Sequence, residues 1–301
     1  MPDFADPDIF RTVLESLQIG VYLVDRDRRI MFWNDGAQNI TGFLRQDVLG
    51  RYCRDNILVH CDENNSLLCG DACPLTEVMR DGQPREAEVY LRHREGHRVP
   101  VLVRAVPIRD RHGAVVGAAE TFDERDAVAA PDRRHNQLAA YGWADEKTGL
   151  PGHGFTESLL HEAMVLFSEH TAPFGVLRIQ VDQLEHFRAL HGQGAADGIL
   201  RVVADTLKKT LRREDMLGRW AEDQFLAIVP FCNAMERLAA RWQKVVNSSG
   251  IPWWGDQLSV TISIGGTIDR PGDTMESILQ RTEQALWQSV AQGGNCFNSI
   301  A

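Results

Sequence analysis

The densest group of chemically capable residues is Arg219-Trp220-Ala221-Glu222-Asp223-Gln224-Phe225. It lies between Glu214-Asp215-Met216-Leu217-Gly218 and an apolar run from Leu226 to Pro230. A strand, a short charged turn and a returning strand read as a β-hairpin with Glu222 and Asp223 at its tip. Carboxylates there can hold a hard divalent cation such as magnesium, and through it phosphate oxygens. Asp182 follows another strand-like stretch, Gly175 to Val181, and Asp197 sits in a helical stretch beyond it. Arg212 and Asp215 stand three residues apart just before the hairpin, a spacing that makes an ordinary helix ion pair.

A second concentration is thiol-rich. Four of the six cysteines, Cys53, Cys61, Cys69 and Cys73, fall between residues 50 and 75, and His60 precedes Cys61. Thiolates with an imidazole suit zinc or an iron–sulfur cluster. The spacing is looser than paired CxxC motifs, so small cysteines filling a core and a redox-active thiol pair stand beside the metal reading.

The elements that would carry these residues fall into two sets. From residue 8 to 124, helical spacing over Ile9–Leu17 is followed by strands at Gly20–Asp25 and Ile30–Asn34 around the turn Arg26–Arg29. Short helical pieces run from Ala37 to Leu49, then come three strands, Arg85–Arg92, His97–Ile108 and Val115–Phe122. Residues 125–142 read as a connector, broken at Pro131, with a short helix capped by Asp132. From 143 to 301, helices at Phe155–Phe167, Leu184–His191, Ala195–Leu211, Ala234–Val246 and Met275–Ala291 alternate with strands at Gly175–Asp182, the hairpin and Leu258–Thr267, which is an α/β pattern.

The first set resembles a PAS domain, on Gly20…Val24-Asp25, Phe32-Trp33-Asn34, Ile40-Thr41-Gly42-Phe43 and Gly113…Gly117-Ala118. That implies an antiparallel sheet with helices, a sensing role and dimerisation. The second resembles the GGDEF family, the diguanylate cyclases that join two GTP into cyclic di-GMP, and implies a nucleotidyl-cyclase-like α/β domain. It rests on Asp145-Glu146-Lys147-Thr148-Gly149-Leu150-Pro151, on the hairpin, and on Val260-Thr261-Ile262-Ser263-Ile264-Gly265.

The resemblance also assigns roles. The second magnesium acid falls on Asp223, while the first falls on Gln180, an amide and a poor magnesium ligand. The accessory acid falls on Gln224, and the signature glycines on Ala221 and Glu222. The guanine readers fall on Arg188 and Asp197, and the two triphosphate-gripping cations on Val290 and Gly294. Arg212 and Asp215 match the inhibitory site for cyclic di-GMP, with Arg241 or Lys244 as a second cation. Each lost electrostatic group costs roughly 10²–10³ in rate. The expectation is a signalling protein with a degenerate GGDEF site that binds cyclic di-GMP or a guanine nucleotide, or acts through protein contacts. The alternative is a divergent diguanylate cyclase using Asp223, Asp182 and Glu222.

The totals bound the setting. A net charge of −10 argues against nucleic-acid and anionic-membrane partners. No run of 18 apolar residues appears and residues 1–7 are acidic, so the expectation is a cytoplasmic protein without membrane helix or signal peptide, and the resemblance to PAS and GGDEF domains adds that it is a homodimer.

Overall fold

The computed structural model describes residues 7–55, 57–69, 73–124, 142–170, 173–232, 234–253 and 256–300. They form two compact units. The connector expected over 125–142 lies, apart from Gly142, outside the described residues.

In the first unit, α1 (Pro7–Ser16) leads into β1 (Gly20–Asp25) and β2 (Ile30–Trp33), followed by α2 (Asp35–Thr41), α3 (Arg45–Val48) and α4 (Pro74–Asp81). The strands β3 (Arg85–Arg92), β4 (Arg98–Arg109) and β5 (Val115–Glu124) complete an antiparallel sheet in the order β2-β1-β5-β4-β3. The β1–β2 turn is set by Asp25, whose side chain accepts from the Asp27 and Arg29 backbone N–H groups at 2.9 Å each. On β4, Val99, Val101, Val103 and Ala105 alternate onto one face and bury against Val89 and Leu91 of β3 and Leu75 and Val78 of α4.

A cavity lined by Tyr22, His60, Cys53, Cys69 and Cys73 leaves about 10 Å³, room for roughly one water molecule. Around it lies a buried polar group: Tyr22 Oη donates to Glu120 Oε1 at 2.9 Å, and His60 Nε2 stands 3.6 Å from the same oxygen. Burial pushes the Glu120 carboxyl from the ordinary 4.5 up to about 7, against the Tyr22 hydrogen bond. Burial, helped by the Arg98 charge, pulls His60 from 6.5 down to about 4.

These shifts act oppositely on stability. Between about 4.5 and 7 the folded state binds the Glu120 proton and the unfolded state does not, so stability falls as pH rises through that window. The His60 contribution is lost as pH falls from 6.5 towards 4. Glu120→Gln keeps an acceptor for Tyr22 and removes the carboxylate. It is expected to melt higher than the parent above pH 7, with the advantage fading towards pH 4.5; a difference that grows on acidification would refute this.

The second unit starts with α5 (His153–His170) and β6 (Phe174–Val181), then α6 (Leu184–His191), α7 (Gln193–Thr210), β7 (Met216–Ala221), β8 (Gln224–Pro230) and α8 (Met235–Asn247). A small hairpin, β9 (Ile251–Trp253) with β10 (Asp256–Leu258), precedes β11 (Ile262–Ile268), α9 (Met275–Ala291) and β12 (Phe297–Ser299). The main sheet has the order β12-β11-β6-β8-β7, antiparallel except for the parallel β11–β12 pair. Its central strands are mostly apolar because both faces are covered, with Arg178, Gln180 and Gln224 as polar exceptions towards the strand ends. On β8, Phe225, Ala227 and Val229 join the α7–α8 side with Val203, Leu207 and Trp242, while Leu226 and Ile228 join the α5–α9 side with Leu160 and Ile278. Gly265 lets α9 lie on β11, since a Cβ there would come 2.1 Å from the Leu286 backbone nitrogen.

Two sequence expectations change here. The strand expected over Leu258–Thr267 is broken, with residues 259–261 between β10 and β11, and β12 was not anticipated. Among the described residues, no helix is long and apolar enough to cross a membrane.

Candidate functional site

The site forms where β6 ends and the β7–β8 turn begins. Antiparallel pairing sets Gln180 opposite Gln224, and the Val181 N–H donates to the Asp223 carbonyl at 2.9 Å, fixing the turn to the end of β6. The two amides meet: Gln224 Nε2 donates to Gln180 Oε1 at 3.3 Å, and Arg178 Nε donates to Gln224 Oε1 at 2.8 Å. Arg178 also pairs with Glu283 on α9 at 3.3 Å. The centre of the strand ends is thus a chain of neutral amides ending on a cation.

Of the sequence candidates, Asp223 is the carboxylate seated on this centre. Burial pushes its carboxyl up from the ordinary value, against its backbone hydrogen bond and the nearby Arg219 charge. Arg219 is buried, donates to the Glu222 carbonyl, and lies 4.9 Å over the Phe225 ring. Glu222 points to another partner, since its carboxylate pairs with Arg188 Nη2 on α6 at 2.6 Å. Arg188 also donates to Glu185 at 2.9 Å. An ion pair therefore ties α6 to the hairpin tip.

Asp182 has a different place from Asp223. Its carboxylate accepts from Thr261 Oγ1 and Ser263 Oγ at 2.6 Å each and from the Asn295 N–H at 3.0 Å, and its own N–H donates to the Thr261 carbonyl. Three donors already occupy this carboxylate. Thr261 lies just ahead of β11 and Ser263 within it, and residues two apart in extended chain share a face, so their spacing is a readable signal. Asp197 is held by Lys147 Nζ at 2.9 Å and Gln193 Nε2 at 2.8 Å. Burial raises its carboxyl, but these hydrogen bonds outweigh that and hold it below the ordinary value. Lys147 was not among the candidates, nor was the Arg188–Glu222 pair.

Arg212 and Asp215 are brought together in the turn that closes α7. The Arg212 N–H donates to Asp215 Oδ2 at 2.9 Å, and the Asp215 N–H returns to the Arg212 carbonyl at 3.2 Å. The Arg212 side chain is exposed. Arg241 Nη2 donates to the Thr210 carbonyl at 2.8 Å, which places a second cation beside the turn.

Metal ligands can be tested directly. Among the described residues, the histidine, cysteine and carboxylate groups that bring three ligand atoms within 4.8 Å of one another are His93, Glu95 and His97. Neither the hairpin acids nor the cysteines form such a set, so the zinc or iron–sulfur expectation finds no support. Burial, chiefly, pushes the Cys53 thiol up to about 12 and also raises Cys69, which favours the protonated thiol over the thiolate in the metal-free protein. Cys61 Sγ lies 3.7 Å from the Tyr90 carbonyl.

Comparison with known proteins bears on both units. The family described as "Diguanylate cyclase, GGDEF domain" matches residues 143–296, and a PAS domain family matches residues 18–124. Diguanylate cyclase DgcP of Pseudomonas aeruginosa is 23% identical over 269 residues, which cover 87% of this chain and 37% of that protein. Probable diguanylate cyclase DgcE of Escherichia coli is 23% identical over 297 residues, covering 96% of this chain and 26% of that one. The chain therefore spans between a quarter and two fifths of these relatives. Among solved structures, the GGDEF domain of DgcB from Caulobacter crescentus in complex with c-di-GMP has a TM-score of 0.51 at 20% identity, over 52% of this chain and 95% of that one. Diguanylate cyclase SiaD in complex with its activator SiaC, from Pseudomonas aeruginosa, has a TM-score of 0.52 at 24% identity, over 56% and 66%. These structures share the fold of the second unit.

Proposed function

The chain belongs to the GGDEF family, with a PAS domain ahead of the GGDEF domain, and from that premise we propose that it is a signalling protein whose GGDEF domain binds cyclic di-GMP or a guanine nucleotide without turning GTP over. The observation that carries this reading is the Gln180–Gln224 amide pair at 3.3 Å, where two-metal chemistry calls for carboxylates. GGDEF domains normally use magnesium. Among the described residues at these strand ends, Asp223 would be the carboxylate left to hold it, since Asp182 accepts from three donors and Glu222 pairs with Arg188. That set does not fit a two-magnesium centre, and no catalytic step is assigned to it.

The recognition side is better supplied. Arg212 is exposed beside Asp215 and Arg241, a cation–carboxylate–cation arrangement suited to a phosphate and a guanine edge. In this reading Arg212 and Asp215 stand where the resemblance implies the family's inhibitory site for cyclic di-GMP, and the similar GGDEF domain of DgcB is a complex with c-di-GMP. The proposal includes a cytoplasmic homodimer, with the PAS domain as sensor.

The test is turnover and binding in parallel: purified protein with GTP and magnesium, products separated by chromatography over hours, and cyclic di-GMP titrated calorimetrically. The expected result is binding without product. Cyclic di-GMP formation that disappears in Asp223→Ala would instead establish a divergent diguanylate cyclase; neither product nor binding would leave a module acting through protein contacts.

A further inference from the structure

The β3–β4 hairpin of the PAS unit carries His93-Arg94-Glu95-Gly96-His97. The His93 N–H donates to the His97 carbonyl at 2.9 Å, and the Gly96 N–H to the His93 carbonyl at 2.9 Å, so the histidines face each other across a three-residue turn. Directly opposed residues of a β-ribbon project from the same face. The two imidazoles accordingly stack, with ring centroids 4.2 Å apart and planes 22° from parallel. Gly96, at φ +98°, turns the chain tightly enough to bring Glu95 back over them.

The orientation of His93 is fixed from its other side. A Cβ on Gly42 would stand 2.6 Å from His93 Nε2, so that edge of the ring lies against the end of α2. The Arg94 N–H donates to the Thr41 carbonyl at 2.8 Å and holds the turn to the same helix. The Nδ1 edge is thereby presented to Glu95, whose Oε2 is 3.9 Å away. One ring nitrogen of His97 completes a set of three ligand atoms within 4.8 Å.

We propose that His93, Glu95 and His97 form a binding site for a divalent first-row transition metal ion of the zinc, nickel and copper class, with water completing its shell. Two imidazole nitrogens and one carboxylate select these borderline ions over magnesium or calcium, which take oxygen ligands. Zinc-type ions hold such ligands at about 2.0–2.2 Å, which sets neighbouring ligand atoms roughly 3.3 Å apart. The set must therefore close by up to about 1.5 Å from its 4.8 Å span: the Glu95 side chain, 65% exposed, swings in, and His97 turns out of the stack so that the in-plane lone pairs of the two imidazoles converge. Binding exchanges the 3.2 Å hydrogen bond from the Glu95 N–H to His93 Nδ1 for the ion. The site is independent of the GGDEF reading.

Cobalt(II) alone is the probe, titrated into the untagged, chelator-treated full chain. The expected result is one equivalent bound, with weak visible d–d bands and no thiolate charge-transfer band. Glu95→Gln and His93→Gln should each weaken binding at least about tenfold. Glu95 sits exposed at the turn, so its variant should keep the parent circular dichroism. A thiolate charge-transfer band, affinity unchanged in both variants, or no binding at millimolar cobalt would each overturn the proposal.

Discussion

Asp182→Ala is expected to destabilise the GGDEF unit by about 3 kcal/mol, which in a domain of this size lowers its melting temperature by roughly 6–12 °C. The carboxylate joins three separate stretches of chain: the end of β6, the segment entering β11 through Thr261 and Ser263, and the loop after α9 through Asn295. Hydrogen bonds to a charged acceptor contribute about 1.5–3 kcal/mol each. Asp182 is only half-buried, so water recovers part of that sum. The loss should appear in calorimetry of the metal-free, nucleotide-free protein. Asp182→Asn should lose less, since its amide oxygen still accepts from one hydroxyl. If Asp182 were instead a magnesium ligand, the metal-free melting temperature would stay unchanged and the difference would emerge only with magnesium and nucleotide present.

Arg212→Ala is expected to weaken cyclic di-GMP binding by about 100-fold, near 2.7 kcal/mol, the scale of a forked guanidinium contact with phosphate or guanine. The geometry makes this a clean variant. The turn is braced by the Arg212 backbone, through its N–H to Asp215 Oδ2 and its carbonyl to the Asp215 N–H, and both survive removal of the side chain. Asp215→Ala would remove the brace along with any base contact, so its effect could not be assigned to recognition. Isothermal titration of the alanine variant, with a melting curve to show unchanged stability, decides the matter. Equal affinity in parent and variant would end the receptor reading.

What the sequence made legible follows from how locally each feature is determined. The hairpin, β6 and α9 could be read from runs of apolar residues and their turns, because both sheet faces are buried and the pattern is strong. The direction of Asp182 could not. It stands one residue beyond β6, where alternation stops assigning a face, and its partners lie 79, 81 and 113 residues further along. The Arg188–Glu222 pair is hidden for a similar reason: its members sit on a helix and a hairpin tip far apart in sequence, and no local periodicity brings them together. The cysteine cluster shows the limit of spacing as a guide. Cys53, Cys69 and Cys73 do line one small cavity, but proximity in a core is weaker than convergence on a point. The three residues that do converge span a tight turn, where sequence distance and spatial distance agree.

The last described strand, β12, pairs with β11 over only three residues, Phe297 to Ser299 against Ile264 to Gly266. Without it, β11 would become the border of the sheet and present a row of bare amide and carbonyl groups, backed by Ile262 and Ile264. Such a border recruits strands from other molecules and seeds aggregation. These three residues act as a shield, and an expression design that trims the chain behind Asn295 trades a soluble protein for a self-associating one.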